Sequence, residues 1–276
     1  MTKPDWSGAT FEDALCFRCG VKGETLYPVG PFAVAQCPKC RQAFISPRLA
    51  NAERDKIYAE IGYFEEGLYG DRAGRAVKEI WEPARLRLIA ERMAEDRRST
   101  FDVRRSDERR NLLEIGCAYG SLLQQAQKLG FAVTGVEYSA AAVDWIRKNT
   151  NLNVHQGVVE AAGLPPGHFD AVCFYDVIEH VENPAAFLGT VTALAKPGGV
   201  ISLSCPNFAS LPARLFRSRW WTLRPQEHIW QFAPATLRRL LAEAGLEQIR
   251  ILTSPLRRAN LFRTDSMLAL ATRHNA

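Results

Sequence analysis

From residue 111 onward, short apolar runs alternate with amphipathic ones, and that alternation leaves this chain few folds to choose from. "NLLEIG", "FAVTGVE", "NVHQG", "FDAVCFY", "VISLSCPN" and "EQIRILT" read as strands, with "MLALATR" as a last one. Between them "SLLQQAQKLG", "AAAVDWIRKN", "AAFLGTVTALA" and "APATLRRLLAEAG" carry helical spacing, and Gly130 and the "KPGG" turn stop two of them. Strands and helices alternating at these lengths predict an α/β fold, a doubly wound, mostly parallel sheet with helices on both faces. In such a sheet a ligand sits outside the carboxyl ends of the strands. Functional residues are therefore expected at strand ends.

The N-terminal part is built differently. Four of the seven cysteines form two knuckles, Cys16-x-x-Cys19 and Cys37-x-x-Cys40. This spacing predicts a tetrahedral zinc site with ligands Cys16, Cys19, Cys37 and Cys40. Four thiolates leave no open position, so the expected role of the zinc is structural. Cys117, Cys173 and Cys205 lie far apart in apolar sequence and read as small buried hydrophobes. Residues 1–50 are accordingly read as a zinc ribbon and 51–110 as a helical linker or lid. The latter holds the aromatic pair Tyr63-Phe64 and a helical run over 72–96, in which Pro83 predicts a kink or a fresh start. The charged stretch 97–110 reads as an exposed linker, and 111–276 as the main domain. A net charge of +5 permits an anionic substrate and argues against an obligatory nucleic-acid partner. Neither a membrane-length apolar run nor a signal-peptide pattern is present, so a soluble, cytoplasmic protein is expected.

Two strand ends carry chemistry. At the first strand-helix junction, "LLEIGCAYGSLL", Gly116 and Gly120 bracket a tight turn where backbone can approach a ligand. The G-x-G-x-x-G dinucleotide fingerprint is not there. At the end of the fourth strand, "CFYDVIEHVENP" crowds Asp176, Glu179 and His180 together. Three residues apart, Asp176 and Glu179 would share one face of a helical turn. They also fit a helix capping box.

The junction resembles the E/D-x-G-x-G-x-G loop of class I S-adenosylmethionine (SAM)-dependent methyltransferases, over Glu114, Gly116, Ala118 and Gly120, with Ala118 in the place of the middle glycine. "VTGVEYS" and "LAKPGGVISLSCPN" resemble later elements of that family, and the likeness runs over almost all of 111–205. It implies a Rossmann-like fold and SAM as cofactor. Glu137 would take the ribose hydroxyls, beside Tyr138, with Tyr175 at the end of the fourth strand. In "GVVEAAGLPPGHFDAV" Val158 stands where the family has an acid at the adenine, which leaves Val159 and Glu160 for that contact. The zinc knuckles, "SPR" and "YF" look like a set of bacterial methyltransferases, and "DVIEHVENP" like the ubiquinone-biosynthesis O-methyltransferase branch.

That branch, and small-RNA 3′-end methyltransferases, bind a divalent cation through an acidic-x-x-Glu-His motif and a distant histidine. The resemblance implies a catalytic set of Asp176, Glu179, His180 and His228, with Mg²⁺ at the acceptor site as one arrangement. The other is metal-free, with His180 or His228 as general base. The implied activity is methyl transfer to a small-molecule or glycan acceptor at a hydroxyl oxygen. Its rivals are an RNA methyltransferase and a non-catalytic SAM-binding protein. Residues 207–234 hold Phe208, Trp220, Trp221, Trp230 and Phe232 among Arg214, Arg217, Arg219 and Arg224. This segment is expected to overhang the site as a substrate surface, or to serve as a lid or a homodimer contact.

Overall fold

The structure is a computed structural model and describes residues 6–59, 72–95, 109–253 and 265–275. Tyr63, Phe64 and most of the expected linker 97–110 lie outside the described residues. The elements in chain order are β1 (Phe11–Glu12), β2 (Glu24–Val29), β3 (Phe32–Gln36), β4 (Ala43–Ile45) and β5 (Arg48–Leu49), then helices α1 (Asn51–Ala59) and α2 (Arg72–Glu95). After these come β6 (Asn111–Ile115), α3 (Ser121–Lys128), β7 (Ala132–Glu137), α4 (Ala140–Asn149), β8 (Asn153–Gln156) and β9 (Phe169–Tyr175). The chain continues through α5 (Pro184–Leu194), β10 (Ala195–Pro206), α6 (Leu211–Phe216), β11 (Trp230–Gln231), α7 (Pro234–Glu243), β12 (Leu246–Leu252) and β13 (Ser266–Arg273).

The main sheet has seven strands in the order β12-β13-β10-β9-β6-β7-β8. Neighbours from β10 to β8 pair in parallel, and β13 runs antiparallel to both its neighbours. All seven residues of β9 are buried, because a central parallel strand is covered on both faces. The sheet order reverses between β6 and β9, so the crevice for a ligand opens at their carboxyl ends. Those ends are Ile115 and Tyr175, directly before the glycine-rich loop and the Asp176 turn.

Local signals account for the helix starts that frame the crevice. Ser139 caps α4 by accepting from the Ala142 amide, and Asn183 caps α5 by accepting from Ala185 and Ala186. On α3, Leu122, Leu123 and Ala126 are buried and form one apolar stripe. Pro83 lies inside α2, which continues through it to Glu95; the expected fresh start is not seen.

The ribbon forms a second sheet of four strands, β11-β4-β3-β2. Its edge strand β11 comes from residues 230–231, far along the chain, with Trp230 opposite Phe44 and Gln231 opposite Ala43. One apolar cluster runs from Cys16, Cys37, Cys40 and Phe44 through Trp230 and Phe232 to Phe174, Ile201 and Leu203 of the main sheet. Each large side chain buried there is worth ~1.5–3 kcal/mol, so the ribbon and the main sheet stabilise each other.

Candidate functional site

The glycine-rich loop leaves β6 through three left-handed residues, Gly116 (φ 74°), Ala118 (φ 46°) and Gly120 (φ 71°). A Cβ on Gly116 would stand 2.6 Å from Val177 Cγ2, and one on Gly120 2.5 Å from Leu152 Cδ1. Both positions therefore favour glycine by their conformation, and any side chain there would also have to displace these methyl groups. Ala118 accepts the same conformation with a side chain, at a steric cost of about 1–2 kcal/mol. Glu114, just before the loop, is buried within β6.

Glu137 ends β7 and is buried, not an exposed strand-end acid. Its Oε2 accepts from the Ala118 amide at 2.7 Å and its Oε1 from the Ser139 amide at 2.9 Å. Burial pushes its pKa up, and these backbone donors oppose the rise. The loop and the second strand end are thus tied together by one carboxylate, whose remaining lone pairs can accept further donors. Tyr138 is exposed, and its hydroxyl donates to Asp55 of α1 at 3.1 Å. The Gly157 amide donates to the Glu137 carbonyl at 2.8 Å, which sets the single turn Val159–Ala161 beside this strand end. In that turn Val159 is buried, while Val158 and Glu160 are exposed.

Tyr175 is buried under α2. Its hydroxyl shares a 2.9 Å hydrogen bond with Ser202, and the Arg85 guanidinium lies 3.9 Å from its ring centroid. Two α2 residues with no local sequence signal enter the site here. Arg85 donates to Ser204 Oγ at 3.3 Å, and Ser204 donates to Asp176 Oδ1 at 3.2 Å. Buried Glu82 accepts from Ser121 and, at 2.5 Å, from Gln125, and so grips the first turn of α3 directly after the loop.

The Asp176 turn departs from expectation. Asp176 is left-handed (φ 56°), so the chain does not enter a helix; residues 178–180 form a turn and the next helix starts only after Asn183. The same-face and capping-box arrangements of Asp176 with Glu179 both require a helix and are not what forms. Ligand atoms of Glu179, His180 and His228 instead lie within 4.8 Å of one another. Asp176, expected as the fourth member, is not in this group and faces Ser204.

The two imidazoles meet edge to face, with ring centroids 4.7 Å apart. His228 Nδ1 lies 2.8 Å from the Thr222 carbonyl. A carbonyl only accepts, so Nδ1 carries the proton and Nε2 is left as a ligand or acceptor. Burial, and then the Arg224 cation, pushes His180 down to about 4 against the opposing Asp176 charge. Burial, followed by His180 and Arg224, drives His228 well below its usual range. Both rings are neutral at pH 7, the form that binds a cation. In the ribbon Cys16, Cys19, Cys37 and Cys40 also bring their sulfurs within 4.8 Å of one another, a donor set suited to tetrahedral zinc.

In the 207–234 segment Leu211, Leu215 and Phe216 are exposed. Trp220, Trp230 and Phe232 are buried, and Trp221 alone of the three tryptophans is exposed. Arg217 donates to the Leu26 carbonyl and stacks over Tyr27 of the ribbon. Arg224 pairs with Glu227 at 2.8 Å.

A family model described as a methyltransferase domain matches residues 82–251, which span the loop, Glu137, the Asp176 turn and His228. The chain belongs to this methyltransferase family. A ubiquinone biosynthesis O-methyltransferase of Caulobacter vibrioides is 32% identical to it over 184 residues, covering 59% of this chain and 69% of the relative. A mitochondrial enzyme of the same name from Schizosaccharomyces pombe is 32% identical over 134 residues, covering 45% and 46%. Among solved structures, magnesium protoporphyrin IX methyltransferase from Synechocystis PCC 6803 matches with a TM-score of 0.56 at 15% identity, over 81% of this chain and all of its own. A Mesorhizobium loti SAM-dependent methyltransferase matches at 0.53 and 17%, over 75% of this chain. The methyltransferase is thus a SAM-dependent transferase, as the glycine-rich loop and the sheet order indicate. No described helix is long and apolar enough to cross a membrane.

Proposed function

We propose that the methyltransferase transfers a methyl group to a hydroxyl oxygen of a small-molecule or glycan acceptor. The observation that carries this reading is the Glu179–His180–His228 cluster at the carboxyl end of β9, across the sheet's switch point from the glycine-rich loop. SAM supplies an electrophilic sulfonium methyl. The chain's own residues bind, orient and dry the two sides of the crevice. On the cofactor side, backbone at Gly116, Ala118 and Gly120 passes close to the ligand, and Glu137 accepts from the ribose hydroxyls while holding the loop through the Ala118 amide. Glu114 supports the loop from beneath, Tyr138 flanks it, and the turn at Val159 and Glu160 faces the adenine. Tyr175 acts through packing, because its hydroxyl is engaged by Ser202.

On the acceptor side, Glu179 and the two imidazoles would hold a divalent cation, a donor set that suits a transition ion better than the Mg²⁺ the resemblance implies, and either ion would lower the pKa of a bound hydroxyl. Without a cation the same groups would hold the hydroxyl by hydrogen bonds and take its proton. Holding both reactants in attack geometry supplies much of the rate in either case. Residues 1–50 act as a zinc ribbon of structural role, 51–110 as a helical connection and 111–276 as the transferase domain.

The test is transfer of labelled methyl from SAM to a panel of hydroxyl-bearing acceptors, with and without added Mg²⁺, in the wild type and Glu179→Gln. Expected is cation-dependent transfer that falls at least tenfold in the variant. Transfer indifferent both to added Mg²⁺ and to a chelator selects the metal-free arrangement. Tight SAM binding with labelling only of nitrogen acceptors would overturn the oxygen reading, and labelling only of RNA would overturn the small-molecule or glycan reading.

A further inference from the structure

Trp230 ends up in two structures at once. Its backbone is the edge strand of the ribbon sheet, opposite Phe44. Its ring is covered by Phe17, which lies between the first two cysteines, with centroids 4.8 Å apart and planes at 80°, and it touches Phe44 at 5.7 Å. Yet the hydrogen bonds it donates run the other way, into the acceptor-side turn. The Trp230 amide donates to the Glu179 carbonyl at 3.2 Å, and the indole Nε1 donates to the Val181 carbonyl at 2.8 Å. These two carbonyls flank His180. The neighbouring Gln231 side chain donates to the His228 carbonyl at 2.6 Å, so the backbone of the second histidine is tied to the same two-residue strand.

A second link runs parallel to the first. Arg48 of β5 donates to Glu182 Oε2 at 2.8 Å, Arg54 of α1 pairs with the other oxygen of Glu182, and the Arg48 guanidinium lies 5.8 Å from the Trp230 ring centroid. Both cations come from the N-terminal part, and Glu182 closes the turn that begins at Asp176. Within the turn the His180 amide donates to the Val177 carbonyl at 2.9 Å, and the Asp176 amide reaches out of it to the Ser204 carbonyl of β10 at 2.8 Å. A turn without helix or strand takes its shape from what surrounds it.

We infer that Trp230 is a positioning residue through which the four-cysteine ribbon sets the Glu179–His180 turn, with the Arg48–Glu182–Arg54 bridge as its second support. The ribbon thereby controls the acceptor half of the site and leaves the cofactor half to the loop and Glu137. This inference rests on the acceptor-side reading of the cluster made above.

The experiment compares amide hydrogen exchange of the zinc-loaded full chain in the wild type, Trp230→Phe and Glu182→Gln. Phenylalanine keeps an aromatic ring against Phe17 and Phe44 but lacks the indole N–H. Glutamine keeps the shape of Glu182 but not its charge. Expected is exchange in 176–183 that is faster by about tenfold in each variant, the loss of one well-made hydrogen bond or ion pair. Exchange in 111–137 should stay as in the wild type. Unchanged exchange in 176–183 in both variants overturns the inference. So does faster exchange spread evenly over the chain, since that marks a general loss of stability. Calorimetric titration with SAM on the same samples should give one affinity for all three proteins. Failure of the wild type to bind SAM would sink the proposed function, whereas the exchange comparison would still decide the positioning role.

Discussion

Replacing Glu137 by glutamine keeps the volume of the side chain but turns one acceptor into a donor, so either the Ala118 or the Ser139 amide loses its partner. A buried amide left unpaired costs about 1–3 kcal/mol. Glu137→Gln should therefore weaken SAM binding by tenfold or more and lower the urea midpoint together. Unaltered affinity in a calorimetric titration would remove Glu137 from the cofactor site. Ala118 makes the opposite prediction. Its φ of 46° is one that glycine accepts freely, so Ala118→Gly should raise stability by a net ~0.5–1 kcal/mol in urea unfolding after glycine's own entropy cost. A lower midpoint would show that the methyl packs better than it strains. The loop glycines and Glu137 were legible because each is needed for a backbone conformation or a charge at a fixed distance along the chain. The place of Asp176 was not. Its spacing to Glu179 suits a helix, and the left-handed bend that prevents one is set by contacts with Ser204 on the next strand.

At the scale of elements, every expected strand and helix after residue 111 is present, because strand and helix periods differ; the expected "KPGG" turn is instead taken up into β10, which starts at Ala195. What periodicity does not carry is which element reaches over the crevice. Long α2 does so from outside the transferase core as read from the sequence, and puts Glu82 on α3 and Arg85 on Ser204 and Tyr175, less than one helical turn apart. Glu82 sits before Pro83 in a stretch that reads as a helix break, so nothing nearby marks it as functional. Its carboxylate gives Ser121 and Gln125 a charged acceptor at the first turn of α3, where the helix leaves the loop. Glu82→Ala should loosen that turn, raise the SAM dissociation constant several-fold and cost about 1–3 kcal/mol of stability, the penalty for stranding buried polar groups. Stability lost without any change in SAM affinity would confine Glu82 to packing.

The whole molecule is less divisible than its sequence. Two cysteine knuckles followed by a helical stretch read as a module apart from the sheet. Yet β11 is contributed to the ribbon from residues 230–231, too short for any period to reveal. The cysteines then share one apolar cluster with β9 and β10. A ribbon held to the domain by surface contacts alone would melt by itself when its metal is removed, and the sheet would keep its own transition. With a shared core, loss of a zinc ion held by the four cysteines, as proposed above, would withdraw support from Phe44, Trp230 and Phe232, and the cost would fall on the cooperative unit as a whole. Structural zinc contributes directly to folding free energy, and 1 kcal/mol moves the midpoint of a chain of this size by ~2–4 °C. Stripping zinc with a strong chelator should therefore lower Tm by roughly 10 °C in a single calorimetric transition. Re-adding Zn²⁺ should restore it, and Cys40→Ser should mimic the stripped protein. Two resolved transitions, with the larger one unmoved, would show that the ribbon folds independently and that the pairing of β11 with β4 carries little of the stability.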